Sequence, residues 1–366
     1  MNERPDSELS GGDEPSLRSE ASIGDERFHR RRKMRFIADI PSDRNDRSGP
    51  EVSKFAWCHG LKDCDWFEVR NTSLAQCIAD DVVPCVSGGS FGQLKQCEEK
   101  QWPICFLPNC AFHDSASRWK DAAYFRSPWT SSFLLLNDED LNAAWQLTND
   151  RFRGAISRVR HFLRPHTYES DLYEGRQRWD VLFYLKSRDC HLEHVRRLWP
   201  NMTMLQYGFF TYEELRYKAQ RSRFCILGSS WDSYGLTLHE IAAEGCPVLT
   251  CDSGTLSGNF AEGKQGLYLR NEPNHTLMGS DLKELETAAE VVSSWKRRDV
   301  REATLAFADP ALLKAQWKAA LYGDAPEHRI KAAAKPLAYC FAQGKYLPRL
   351  EAKCIREDIE QGYYDG

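Results

Sequence analysis

The chemistry this sequence can do is concentrated between Arg223 and Leu269. Asp232-Ser-Tyr-Gly-Leu leads into a stretch with helical spacing, and the first amides of a helix are unpaired and sit at the positive end of its dipole, an arrangement that suits phosphate or diphosphate. The sequence places Ser233 as the N-cap, and Gly235 allows a ligand to approach the backbone closely. Leu236 and Glu240 are four apart and share a helix face, and a carboxylate at Glu240 can accept two hydrogen bonds from a vicinal diol such as ribose. Lys186 and Arg188 follow the apolar run Asp180 to Leu185 and supply cations that neutralise phosphate charge. Helix terminus, cations and carboxylate together describe a nucleotide-diphosphate pocket.

Positioning such a pocket takes a rigid scaffold. The chain has 366 residues, enough for about two domains with a core each. From Met34 short apolar runs alternate with longer amphipathic ones: Met34 to Ile40, Val82 to Val86, Pro103 to Leu107 and Ser132 to Leu136 read as strands, with helical spacing over Glu51 to Leu61 and Asp138 to Leu147. The rhythm recurs more clearly at Asp180 to Leu185, Thr203 to Tyr207, Arg223 to Leu227 and Cys246 to Cys251, each preceding or following a helical pattern. Strand, loop and helix in succession predict an α/β protein with two doubly wound, Rossmann-like domains. The expected division is a tail with a basic cluster over 1–33, a first domain over 34–165, a second over 175–325, and a helical segment over 326–366 that packs back toward the first. Ligands bind such sheets outside the carboxyl ends of the strands, which selects Gly49, Gly88 and Asn109, with His113 close behind, as the facing loops of the first domain.

Composition removes several function classes. Apolar residues make up 42% and charged residues 28%, no apolar run is long enough to span a bilayer, and a net charge of −4 provides no global attraction to nucleic acid. The thirteen cysteines are odd in number and contain no Cys-x-x-Cys pair, which reads as reduced thiols in a cytoplasmic protein. His239-Glu240 is not a zinc helix, because the second histidine it needs would stand where Ala243 does, so no metal is expected. The chain holds no Gly-x-Gly-x-x-Gly and no Gly-Lys-Ser/Thr loop. The basic residues over 27–35 read either as a peripheral anchor for anionic membrane or as a solvated linker.

Asp232-Ser-Tyr-Gly-Leu-Thr-Leu-His-Glu240, followed by Gly245-Cys-Pro247-Val248-Leu249, resembles the signature of family-four-type glycosyltransferases, and Val181-Leu-Phe-Tyr-Leu-Lys186-Ser-Arg188 is similar to the strand that opens the nucleotide domain in their subgroup with a small N-terminal domain. Asp252-Ser-Gly-Thr and Gly263 to Leu269 look like that family's next loop and strand. The resemblance implies a GT-B fold, two Rossmann-like domains facing across a cleft, and transfer of a sugar from a nucleotide-diphosphate donor to a glycan, lipid or other hydroxyl acceptor. The transfer would be retaining and metal-independent, with no cofactor. It assigns the ribose to Glu240, the donor sugar to Asp232 and His113, and the diphosphate to Lys186, Arg188 and the segment Ser233, Tyr234, Gly235 and Leu236. The family's usual residue at the first acidic position is Glu, and here it is Asp232, one methylene shorter. A catalytically inactive GT-B module that binds nucleotide, sugar or a protein partner is the alternative.

Overall fold

The computed structural model describes residues 33–37, 49–70, 72–87, 91–107, 124, 127, 129–136, 155–186, 192–228, 235–251, 261–269 and 282–322. Among them two parallel sheets form two lobes. The first sheet holds β1 (Met34–Phe36), β2 (Phe67–Val69), β3 (Val83–Ser87), β4 (Ile104–Leu107), β5 (Thr130–Leu135) and β6 (Ala155–Arg158), in the order β2-β1-β3-β4-β5-β6. The second holds β7 (Trp179–Leu185), β8 (Met202–Gln206), β9 (Ser222–Leu227), β10 (Val248–Cys251) and β11 (Gly266–Leu269), in the order β11-β10-β9-β7-β8. All pairings within both sheets are parallel.

The strands are nearly continuous apolar runs because helices cover both faces of each sheet, so alternate residues have no solvent side to reach. The four residues of β4 are all buried, as are Val181, Leu182, Phe183 and Tyr184 of β7. In the first lobe these strands pack against α1 (Gly49–Leu61), whose Val52, Ala56, Trp57 and Leu61 join one core with Phe36, Val83 and Leu134. The remaining helices of this lobe are α2 (Leu74–Ala79) and α3 (Phe91–Glu99). The short α4 (Pro165–Glu169) lies in the connection between the lobes. In the second lobe α5 (Leu192–Leu198), α6 (Tyr212–Gln220), α7 (Leu236–Ala243), α8 (Leu282–Ser293) and α9 (Arg297–Phe307) accompany the sheet.

The chain crosses between lobes twice, and the crossings brace each other. Arg160 stacks its guanidinium over the Phe307 ring at 4.0 Å, and the Tyr168 hydroxyl donates to the Ala308 carbonyl at 2.6 Å. After the second crossing α10 (Pro310–Tyr322), which falls in the range expected of the second domain, docks on the first lobe. Trp317 is fully buried there beside Trp57 and Phe162 and donates to the Arg160 carbonyl at 3.1 Å. The segment 326–366 lies outside the described residues, as does the tail before Lys33.

One end of the basic cluster is corrected. Arg35 sits on β1 and is only 2% exposed, so its charge requires partners. Glu68 accepts from Nε and Nη2 at 3.0 and 2.7 Å, and Asp80 from Nη1 at 2.6 Å. It is a core ion pair of the first lobe and cannot serve a membrane surface. Lys33 leans on the same Glu68 at 3.6 Å. No helix of the described residues is long and apolar enough to cross a membrane.

Candidate active site

Each sheet has a switch point, the place where successive connections leave in opposite directions and a crevice opens at the carboxyl ends of the strands. In the second lobe it lies between β7 and β9; Lys186 follows β7, and the segment that reaches Gly235 follows β9. In the first lobe it lies between β1 and β3, and Gly49 opens the helix that follows β1. The two crevices face each other. Tyr207, the residue directly after β8, reaches across so that its hydroxyl accepts a hydrogen bond from the Gly49 amide at 2.9 Å, while the Lys186 ammonium sits 5.6 Å from the Tyr207 ring centroid. A Cβ on residue 49 would lie 3.1 Å from the Tyr207 oxygen, so glycine is what lets the lobes approach this closely. Gly49 and Lys186, expected on opposite walls of a cleft, are thus joined by a tyrosine that the sequence did not single out.

The helix expected to meet diphosphate begins later than the sequence suggests. Helix α7 starts at Leu236, and its N-cap is Gly235, not Ser233; Gly235 has φ 66° and ψ 20°, the left-handed region that glycine adopts without a Cβ clash, and as the cap residue it supplies no side-chain hydrogen bond of its own. The N-cap position read for Ser233 is held instead by a residue with no side chain. Leu236 is buried, anchoring the first turn in the core.

Glu240 is on this helix and fully buried. Its two carboxylate oxygens accept from Arg164 Nε and Nη2, both at 2.6 Å, in a bidentate pair. Arg164 comes from the first crossing, at the start of α4, and stacks over the Tyr212 ring at 4.6 Å. Burial alone would lower the Arg164 guanidinium, but the charge and hydrogen bonds of Glu240 hold it above its ordinary value. The carboxylate expected to meet ribose therefore meets the connection between the lobes, and solvent does not reach it. Spacing along one helix cannot reveal a partner 76 residues away.

A second buried carboxylate follows one turn on. Glu244 accepts from Ser170 Oγ at 2.8 Å, Gln220 Nε2 at 2.7 Å and the Tyr212 hydroxyl at 3.3 Å. Burial pushes its pKa up, with Ser170 and Gln220 opposing the rise. Burial also pushes up the Tyr212 phenol, with Glu244 reinforcing it. Arg301 donates to the Ala243 carbonyl, and Arg297 to that of Glu244 at 2.8 Å, so two cations close the negative end of α7. His239 stacks on Phe307 with ring centroids 5.6 Å apart. His113, Asn109, Gly88, Arg188, Asp232, Ser233 and Tyr234 lie outside the described residues.

No protein-family model matches the chain, and no curated protein does. Solved structures do. Sucrose-phosphate synthase from Thermosynechococcus elongatus aligns with a TM-score of 0.52 over 78% of this chain and 97% of its own, at 11% identity. HepE from Anabaena, solved with UDP and glucose, aligns with a TM-score of 0.51 over 79% of this chain and 99% of its own, at 10% identity. The fold is GT-B. Another match, the GtfA/B complex, has a TM-score of 0.47 and 16% identity, and the aligned part spans 59% of that chain. In GT-B terms the Gly49, Tyr207 and Lys186 contacts lie at the mouth of the inter-lobe cleft, while the Arg164 and Glu240 pair lies at its root, where the chain crosses.

Proposed function

We propose that this GT-B chain is a glycosyltransferase, moving a sugar from a nucleotide-diphosphate donor to a hydroxyl of a glycan or lipid-linked acceptor, in the manner of the family-four type. The observation that carries the reading is the opposition of two switch points, one bearing Lys186 and the amino end of α7, the other bearing Gly49. Breaking the bond between sugar and diphosphate develops negative charge on the leaving phosphate. Amides at the start of α7 and the Lys186 ammonium, joined by Arg188, would meet that charge; each fixed donor of this kind is worth roughly 3 kcal/mol in the transition state. Positive charge supplied in this way makes the transfer metal-independent, and the family-four likeness makes it retaining.

Asp232 and His113 are assigned to the donor sugar. Each oxygen of Glu240 keeps a lone pair that Arg164 does not use, so the carboxylate can take up ribose hydroxyls once the Arg164 segment draws back as the lobes part. The diphosphate part of the proposal needs no such movement. The test is a panel of UDP-, GDP- and ADP-sugars, with released nucleotide measured in the presence and absence of acceptors and of a chelator. Turnover of one donor that survives chelation is expected. Stabilisation of the fold by a nucleotide without turnover of any donor sinks the enzymatic reading and leaves a binding module.

A further inference from the structure

The opposite edge of the second sheet carries a second constellation. Two Arg-x-Arg pairs, Arg176-Gln-Arg178 and Arg221-Ser-Arg223, are far apart in sequence but side by side in space, because β7 and β9 pair in parallel with Trp179 opposite Ser222. Both the Arg178 and the Trp179 amides donate to the Arg221 carbonyl, at 2.8 and 3.0 Å, which fixes the two segments together. The result is an open groove of about 560 Å³ lined by Arg176, Gln177, Arg178, Trp179, Asn201 and Arg223, with Asp180 as its one acid. It lies at the amino ends of the strands, and seven residues of β7 at about 3.3 Å each separate it from Lys186 by about 20 Å.

The arginines are preorganised. Arg178 lies over the Trp179 ring at 5.0 Å and donates to the Tyr217 hydroxyl at 3.3 Å. Arg221 is sandwiched between Tyr173 and Tyr217, 4.1 Å from each ring, and supports the groove from behind. Arg223 is 3.5 Å from Asp180, a loose contact that leaves its fork able to take a better acceptor. Planar guanidinium forks match oxyanions, and the amides of Gln177 and Asn201 match hydroxyl groups. One face of the Trp179 ring is taken up by Arg178, which leaves the guanidinium forks as the main recognition elements of the groove. An open groove of this volume takes one or a few sugar units.

We propose that this groove is a binding site for an anionic sugar, a saccharide unit bearing phosphate or carboxylate, separate from the inter-lobe cleft and independent of the transferase reading. Glucose 6-phosphate and an oligoglucuronate serve as probes for a free sugar phosphate and for a charged glycan, measured by calorimetry on the full chain. Neutral glucose oligomers, inorganic phosphate and a single-stranded RNA are the comparisons. Binding of either anionic saccharide is expected, at least tenfold tighter than the neutral oligomer and inorganic phosphate. It should fall tenfold or more in Arg178→Ala/Arg223→Ala, whose unfolding midpoint stays within a degree or two of the parent because these side chains are exposed. Asp180→Asn, which removes the opposing charge, should tighten binding two- to threefold, an effect that a purely structural role would not give. The proposal is overturned if neither saccharide binds, if the double variant binds equally well, if inorganic phosphate matches the saccharides, or if RNA binds more tightly than both.

Discussion

Helix α7 is held in opposite ways at its two ends. Its amino end begins at a glycine with positive φ, which supplies no side-chain cap of its own, and follows the carboxyl end of β9. Its carboxyl end is closed from every direction: Arg164 on Glu240, Ser170 and Gln220 on Glu244, Arg297 and Arg301 on the last carbonyls. A helix whose length is buried and whose far end is cross-linked by hydrogen bonds is a stiff mount for the amides at its near end, where Leu236 is itself packed in the core. The proposed ligand contacts and the hydrogen-bonded clamp thus fall on different turns of one element, eight residues long.

The largest expected effect comes from breaking the closed end. Glu240→Ala leaves the Arg164 guanidinium buried without its carboxylate, and removal of one partner of a buried pair costs about 3–5 kcal/mol. Urea unfolding measures this directly. Arg164→Met/Glu240→Leu, which removes both charges and keeps apolar volume, should be less destabilised than Glu240→Ala despite the extra change. If the double variant is the weaker of the two, the pair is stabilising in its own right and the connection between lobes is an electrostatic lock. Any nucleotide-binding assay on Glu240→Ala has to be read against this loss of stability.

At the open end the effect is smaller and of another kind. Gly235→Ala places a Cβ in the left-handed region, a strain of about 1–2 kcal/mol per residue. If that conformation exists to present the α7 amides, nucleotide affinity should fall by more than the stability loss accounts for, whereas a change in stability alone would make Gly235 a turn residue only. Thermal shifts with and without UDP separate the two.

Glu244 offers a test by pH. Its folded pKa is raised by burial, so its contribution is fully present below the ordinary carboxylate pKa and is lost as pH rises through the folded value. Wild type should therefore lose stability relative to Glu244→Gln between about pH 4 and the pH at which the folded carboxyl ionises. Unfolding midpoints that run parallel across that range would mean the surrounding donors hold Glu244 ionised throughout.

The sequence was most legible where structure depends on neighbours along the chain. The central strands stand out as apolar runs because both faces are covered, and Gly49, Lys186 and Gly235 could be placed after strands because they follow such runs. The edge strands β2 and β6 were missed: Phe67-Glu-Val and Ala155-Ile-Ser-Arg are short, carry charge, and pair on one side only. Arg164 and Tyr207 were missed for a different reason. Neither stands in a motif, and each acquires its place only when a residue 76 or 158 positions away is folded against it. The same holds for Trp317, whose partners Trp57 and Phe162 belong to the other lobe.

The finest test concerns the mouth of the cleft. Tyr207→Phe removes only the oxygen that receives the Gly49 amide and keeps the ring beside Lys186, so the cost is that of one hydrogen bond, about 1 kcal/mol. That bond joins the lobes independently of the Arg164 and Glu240 pair, so its loss should widen the cleft more than it lowers stability. Small-angle scattering should register a larger radius for Tyr207→Phe than for wild type, with an unfolding midpoint nearly unchanged. Glu240→Ala should do the reverse, lowering the midpoint first. If both variants lower stability and neither opens the lobes, mouth and root act as one rigid interface, and ligand access has to come from the loops that line the cleft instead of from motion of the lobes.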